Sequence, residues 1–268
     1  MPLGRLLQGY VRLRADGTSR GRLYDRFYKL HWGNVGTNNY GFAPADAIGP
    51  EQYQLQMYKE LYKLLVASGH MQGHTDLLEV GCGRGGGLVH LLKLLPGSSA
   101  IGLDYSETAL RYCREHYRHV RSLAFVRGSA MELPFAEDSF DLLISVEASH
   151  NFGGYDGFFH EVHRVLRPGG AFLYCDYDIA DGVKDIENKM RGAALDGIFH
   201  DITSHVAEAC RLDSERRRHL IRGCLPWYFR VWVSRYLANY AAIEGTRKLE
   251  AFRTSRERYY ITCAIKAD

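Results

Sequence analysis

The chain has 268 residues, 46% hydrophobic and 24% charged, with a formal net charge of +3, which suits one substantial core with a smaller lobe and excludes the disordered class. The charge is mild and spread along the chain, which argues against nucleic acid as a partner; Arg216 to Arg218, the densest basic run, reads as a solvated helix face. Six cysteines form no C-x-x-C pair, and no apolar stretch approaches the roughly 20 residues of a membrane span, so free thiols, no membrane span and a cytoplasmic protein are expected.

Residues 1–70 are crowded with aromatic side chains around a Gly/Asn-rich turn, G-N-V-G-T-N-N-Y-G. Leu55, Tyr58, Leu61, Tyr62 and Leu65 recur at helical spacing, so a helix is expected over 52–67, within a segment read as a lid. From 71 to 180 the texture changes. T-D-L-L-E-V, A-I-G-L-D, L-A-F-V, D-L-L-I-S-V and A-F-L-Y-C-D read as strands, and 88–95, 107–117 and 155–166 read as helices, the last stopped by R-P-G-G. Their alternation predicts an α/β core of βαβ units around a parallel sheet. Residues 181–250 read as a helical cap rich in aromatics, and R-Y-Y-I-T-C-A-I-K within 251–268 reads as a strand joining the sheet at its edge.

The densest chemical signal is L-L-E-V-G-C-G-R-G-G-G, residues 77–87, which sets a strand, a glycine turn and a helix start in succession. Glycines admit close backbone approach, and the helix start offers unpaired N–H groups, so a nucleotide-like ligand is expected. Gly81, Gly83 and Gly86 satisfy G-x-G-x-x-G, with Asp104 about 20 residues on, the separation of an acid that binds ribose. Glu79 argues against a dinucleotide, because its charge would oppose a pyrophosphate and favour a cation.

E-V-G-C-G-R-G, I-G-L-D-Y-S, R-G-S-A-M-E-L-P-F-A-E-D-S-F-D-L-L-I-S-V and E-V-H-R-V-L-R-P-G-G-A-F-L-Y stand in order over about a hundred residues. Together they resemble the motifs of class I S-adenosylmethionine-dependent methyltransferases. The resemblance implies a Rossmann-like, mostly parallel seven-stranded sheet with helices on both faces. It also implies that Glu79, Gly81, Cys82, Gly83 and Gly85 surround the methionine part of the cofactor, Asp104 holds the ribose, and Tyr105, Ala130 and Met131 frame the adenine. Ser129 stands where the family usually has Asp, which replaces a strong acceptor by a weaker one. V-E-A-S-H-N-F and the late S-R-Y-L-A-N-Y-A-A-I-E-G-T are similar to phthiotriol-type and related natural-product O-methyltransferases.

Ligands of open parallel sheets collect beyond the carboxyl ends of the strands, where V-E-A-S-H leaves the fourth strand. Methyl transfer to a neutral hydroxyl gains from a base, and histidine titrates nearest neutrality, so His150 is the expected base, with Glu147 as its orienter or as a cofactor contact. Tyr24 and His31 in the lid, and Phe199, Trp227, Trp232 and Tyr236 in the cap, are expected around a small-molecule acceptor; packing in the core is the competing reading. C- or N-methylation and non-catalytic cofactor binding are the alternatives. No cluster has metal-ligand spacing, and a homo-oligomer is left open.

Overall fold

The computed structural model describes residues 28–29, 35–44, 53–70, 73–224 and 230–267. The first long element, α1 (Tyr53–Ala67), buries Tyr53, Met57, Tyr58, Leu61 and Leu65, a three-and-four spacing that lays one stripe on the core. It stops at Gly69, whose φ of 73° is the left-handed turn that glycine adopts without a Cβ penalty.

Strand–helix alternation follows: β1 (Asp76–Val80), α2 (Gly86–Leu94), β2 (Ser99–Asp104), α3 (Glu107–His116), β3 (Leu123–Arg127), β4 (Phe140–Val146), a 3₁₀ turn (Ser149–Asn151), α4 (Tyr155–Val165) and β5 (Leu166–Ile179). Ser106 caps α3 by accepting from the Ala109 N–H at 3.2 Å. Phe158, Phe159, Val162 and Val165 of α4 are all buried, each worth about 1.5–3 kcal/mol of burial. β1 to β5 pair in parallel; β1, β2 and β4 are buried on both faces, whereas β3 at the edge buries only Val126. Period-two alternation divides the core. Leu77 and Leu142 join the layer packed by α1 and α2, whereas Leu78 and Leu143 join the opposite layer with Phe158 and Phe172.

The sheet has eight strands in the order β3-β2-β1-β4-β5-β8-β6, with β7 also on β8. The Rossmann-like expectation holds, with one strand more than anticipated. The later elements are α5 (Ala180–Gly192), β6 (Leu195–Gly197), β7 (His200–Asp201), α6 (Thr203–Leu212), α7 (Ser214–Cys224), α8 (Arg230–Tyr240), α9 (Arg247–Arg253) and β8 (Glu257–Lys266). Residues 181–250 are therefore not wholly helical, and β6 and β7, three and two residues long, are too short to show a period. The final strand is not at the edge: β8 runs antiparallel between β5 and β6.

Residues 35–44 bind the halves together. Gly36 O accepts from Gly86 N at 2.9 Å, and Phe42 stacks on His205 of α6 at 4.4 Å. The Tyr40 hydroxyl donates to Tyr240 O on α8 at 2.8 Å. No described helix is long and apolar enough to cross a membrane.

Candidate active site

Strand order reverses between β1, which leads outward to β2 and β3, and β4, which leads to β5, and two adjoining cavities open where these strands end. The first, about 1050 Å³ with its open mouth, lies over the glycine loop. Gly81 and Cys82 donate to Leu103 O at 2.8 and 3.1 Å, which ties the loop to β2. Asp104 tightens the tie: Oδ2 accepts from Gly83 N and Oδ1 from Ser106 N, both at 2.8 Å. Space is the second constraint. A Cβ on Gly81 would stand 2.4 Å from Ala148 Cβ, and one on Gly83 would stand 2.6 Å from the Tyr28 hydroxyl. Both glycines have positive φ, at 80° and 52°, which favours glycine, and the loop is held by bonds to Leu103 O and to the Asp104 carboxylate.

Glu79, 1% exposed, lies behind this loop. Its Oε1 accepts from the Tyr58 hydroxyl at 2.7 Å, while Oε2 is buried without a hydrogen-bond partner among the described residues. Burial pushes its pKa up to about 8; the Tyr58 bond opposes this, and the Asp104 charge adds to it. An orphaned buried carboxylate oxygen beside a glycine cradle suits a compact cationic group of a nucleoside-like ligand.

The second cavity, about 770 Å³, is walled by residues 35–40, His150, Tyr177, α7 and α8, and shares Thr37, Asn38, Asn39 and Glu147 with the first. His150 Nδ1 lies 2.7 Å from Asp176 Oδ1, and the His150 N–H donates to Asp176 Oδ2 at 3.2 Å. Asp176 is 0% exposed and also accepts from the Ser149 hydroxyl at 2.5 Å and Tyr177 N at 2.9 Å. Burial alone would lower the His150 pKa, but the charge and hydrogen bond of Asp176 outweigh it and hold it above its ordinary value. Asp176 is correspondingly held low against its own burial, first by His150 and then by these donors.

The partner of His150 Nδ1 is Asp176, and the hydrogen bonds of Glu147 run elsewhere. Glu147 Oε1 accepts from Tyr40 N at 2.5 Å and from the Tyr259 hydroxyl. Burial raises its pKa to about 7, against the pull of those two donors. Its φ of 50° is a strained value for a residue with a side chain, of the kind that costs about 1–3 kcal/mol and gathers at functional sites.

Gly81, Cys82, Gly83, Asp104, Tyr105, Ser129, Ala130, Met131 and Glu147 are brought together on the first cavity, and His150 lines the second. Gly85 is set back from the wall, since a Cβ there would meet the Phe125 ring at 2.9 Å. The Ser129 hydroxyl accepts from Met131 N at 3.2 Å, tying its own turn. Phe199 packs on Tyr260 at 5.0 Å in the opposite core layer, and Tyr236 is 63% exposed; neither lines a described cavity. Tyr24, His31 and Trp227 lie outside the described residues, as does the Trp232 side chain. Among the described residues no group of three or more His, Cys, Asp or Glu could hold a metal ion.

Sequence reasoning missed Asp176, although C-D lies where the pairing of β5 with β4 ends, at Val146 and Cys175, and so had to lie near V-E-A-S-H. It also put Arg216 and Arg217 on a solvated face. Both instead turn to Asp213, and Arg217 is buried; the i−3 and i−4 spacing of that acid was the available signal.

Residues 78–174 match the family model described as Methyltransferase domain. The chain is 30% identical over 233 residues to a fatty-acid O-methyltransferase of Mycolicibacterium smegmatis, covering 85% of this chain and 82% of that protein. It is 34% identical over 191 residues to a phthiotriol/phenolphthiotriol dimycocerosates methyltransferase of Mycobacterium tuberculosis, covering 71% and 70%. Its fold is similar to that of a putative sarcosine dimethylglycine methyltransferase from Galdieria sulphuraria (TM-score 0.74, 18% identity, 91% of this chain and 98% of that one). It is also similar to geranyl diphosphate C-methyltransferase from Streptomyces coelicolor, solved with S-adenosyl-L-homocysteine (TM-score 0.70, 16% identity, 95% and 100%). With a glycine cradle, a buried unpaired acid and these relatives, the chain belongs to the S-adenosylmethionine-dependent methyltransferases and is an enzyme that uses S-adenosylmethionine as its cofactor.

Proposed function

We propose that this methyltransferase O-methylates a hydroxyl of a bulky, natural-product-like small molecule of polyketide or lipid type, with His150 as general base. The observation that carries this reading is the His150–Asp176 pair on a cavity that adjoins the glycine-loop cavity at Glu147. The names of the relatives, O-methyltransferase of a fatty acid and methyltransferase of phthiotriol lipids, agree with an acceptor of that size. Structural neighbours that methylate nitrogen or carbon share only the fold, and no feature of this site favours those acceptor atoms.

In this reading Glu79 receives the cofactor's ammonium group. Asp104 keeps lone pairs for ribose hydroxyls beyond the two N–H groups it already accepts, and Tyr105, Ala130 and Met131 border the adenine. The bound cofactor supplies an electrophilic methyl carbon on a sulfonium. Asp176 holds Nδ1 of the neutral His150 ring in its N–H form, so Nε2 is the basic nitrogen. With the cofactor bound, which would supply the methyl group and leave as the neutral thioether S-adenosylhomocysteine, Nε2 would accept the proton of the acceptor hydroxyl. Asp176 then stabilises the imidazolium as a buried counter-charge. Glu147, fixed by Tyr40 and Tyr259, forms part of the shared wall where the hydroxyl and the methyl group meet. Six free cysteines fit a reaction in the reducing cytoplasm.

The test is mass spectrometry of a hydroxylated lipid and polyketide panel incubated with S-adenosylmethionine. A one-methyl gain on oxygen, lost in His150→Ala while S-adenosylhomocysteine still binds, is the expected result. Full turnover by His150→Ala, or methylation at nitrogen or carbon, overturns the reading.

A further inference from the structure

The second cavity carries a charge that methyl transfer does not use. Asp213 lies between two arginines of the first turn of α7: Arg216 Nε and Nη2 donate to its two oxygens at 2.6 Å, and Arg217 Nε donates to Oδ2 at 2.9 Å. One carboxylate thus faces two guanidinium groups, and the cluster keeps one positive charge. Arg217 is enclosed, its other nitrogens donating to Ala241 O and Tyr40 O at 2.6 Å each. Arg216 is different. Beyond Asp213 it donates only from Nη2 to Gln54 Oε1 at 3.1 Å, and Nη1 has no hydrogen-bond partner among the described residues. Its side chain is 23% exposed and lies on the cavity wall.

Among the described residues the one lining carboxylate, Glu147, accepts from Tyr40 N and the Tyr259 hydroxyl rather than from Arg216, and His150 is paired with Asp176. Leu220, Ile221 and Leu237 supply the apolar part of the same wall. A cation with one open donor edge over an apolar surface matches a monoanion on a hydrocarbon chain; a phosphate dianion would exceed the single charge on offer.

We propose that Arg216 anchors a carboxylate of the acceptor, so that the substrate is an amphiphilic hydroxy acid whose chain lies on Leu220, Ile221 and Leu237 while its hydroxyl reaches His150. This rests on the reading of the second cavity as the acceptor site.

The experiment is calorimetric titration of the full chain, saturated with S-adenosylhomocysteine, with ω-hydroxydodecanoate, its methyl ester and the corresponding diol. The acid is expected to bind about tenfold more tightly than the ester, the size of one charge-assisted contact. Arg216→Met is expected to collapse that ratio and Arg216→Lys to keep part of it. An acid that fails to bind, binds no better than its ester, or keeps its advantage in Arg216→Met overturns the proposal. The wild-type ratio needs no variant, so a misfolded Arg216→Met leaves the test intact. Because binding is read without turnover, acid-selective binding with no methyl transferred leaves the anchor standing and removes the methyl-transfer reading. Transfer to the diol with no preference for the acid does the reverse.

Discussion

The two cavities are built by opposite means. The glycine-loop cavity is shaped by backbone: three left-handed glycines, N–H groups held on Leu103 O, and one carboxylate bridging two loops within a short span of chain. The second cavity is shaped by side chains drawn from residues 35–40, from the ends of β4 and β5, and from α7 and α8. The glycine loop tolerates little variation, because its glycines have positive φ and a Cβ on Gly81 or Gly83 would press on Ala148 or Tyr28. A wall of side chains can be altered residue by residue without disturbing the sheet. The contrast teaches why one cofactor can serve many acceptors on this architecture.

The largest effect expected is at the dyad. His150→Ala should lower the single-turnover rate about 10²- to 10⁴-fold, and Asp176→Asn, which releases the ring from its tautomer, should fall in the same range. Since the base must be neutral, the wild-type rate should rise with pH through a His150 value above the ordinary histidine range, and Asp176→Asn should move that limb to lower pH. A pH profile unchanged in Asp176→Asn would remove the dyad from the reaction.

Next is Gly81→Ala, whose added Cβ would stand 2.4 Å from Ala148 Cβ on a backbone with φ 80°. It should weaken S-adenosylhomocysteine at least about tenfold by calorimetry and cost about 1–2 kcal/mol of stability from the left-handed backbone alone. Normal cofactor affinity would show that the loop is looser than its contacts imply.

Glu79→Gln should act through pH. The folded value of Glu79, about 8, stands above the ordinary 4.5, so the ligand-free protein gains stability from the protonated acid at low pH and loses it as pH rises toward 8. The variant, which cannot ionise, should melt a few degrees above wild type at pH 8.5 and level with it near pH 5. In calorimetry the wild type should bind cofactor more tightly as pH rises toward 8, and the variant should lose that slope.

The smallest effect is expected at Tyr236. Exposed and away from both cavities, it should change stability by less than about 0.5 kcal/mol on replacement by alanine, with no change in acceptor KM. A clear KM change would place α8's outer face in the acceptor path.

The same contrast decides what could be read in advance. Strands such as T-D-L-L-E-V and helices such as 155–166 were legible because burial on two faces or on one stripe leaves a period, and the structure ends them within a residue or so of expectation. Gly81, Gly83 and Asp104 were legible because a ligand held by backbone demands fixed spacing. β6 and β7 had no period to show. Asp176 looked like the end of a strand until strand adjacency gave it a partner, and Arg216 and Arg217 looked like solvent-facing charge because their neutralising acid lies one helical turn back, in a different helix junction. Aromatic residues misled in the other direction: Phe199 went to the core and Tyr236 to solvent, while Tyr40 and Tyr177, unremarked in the sequence as site residues, wall the second cavity.

The place of β8 has a consequence for the making of the enzyme. Among the described residues β6 and β7 pair with no strand but β8, and β8 is the last strand in chain order. As the chain leaves the ribosome, β1 to β5 can zip together as they appear, but that sheet keeps an open edge at β5 until β8 inserts between β5 and β6, both made before it. Tyr259, carried by that strand, is also the residue whose hydroxyl holds Glu147. A nascent chain can therefore shape its glycine loop early, yet it lacks a finished wall between cofactor and acceptor until almost all of this sequence has been synthesised.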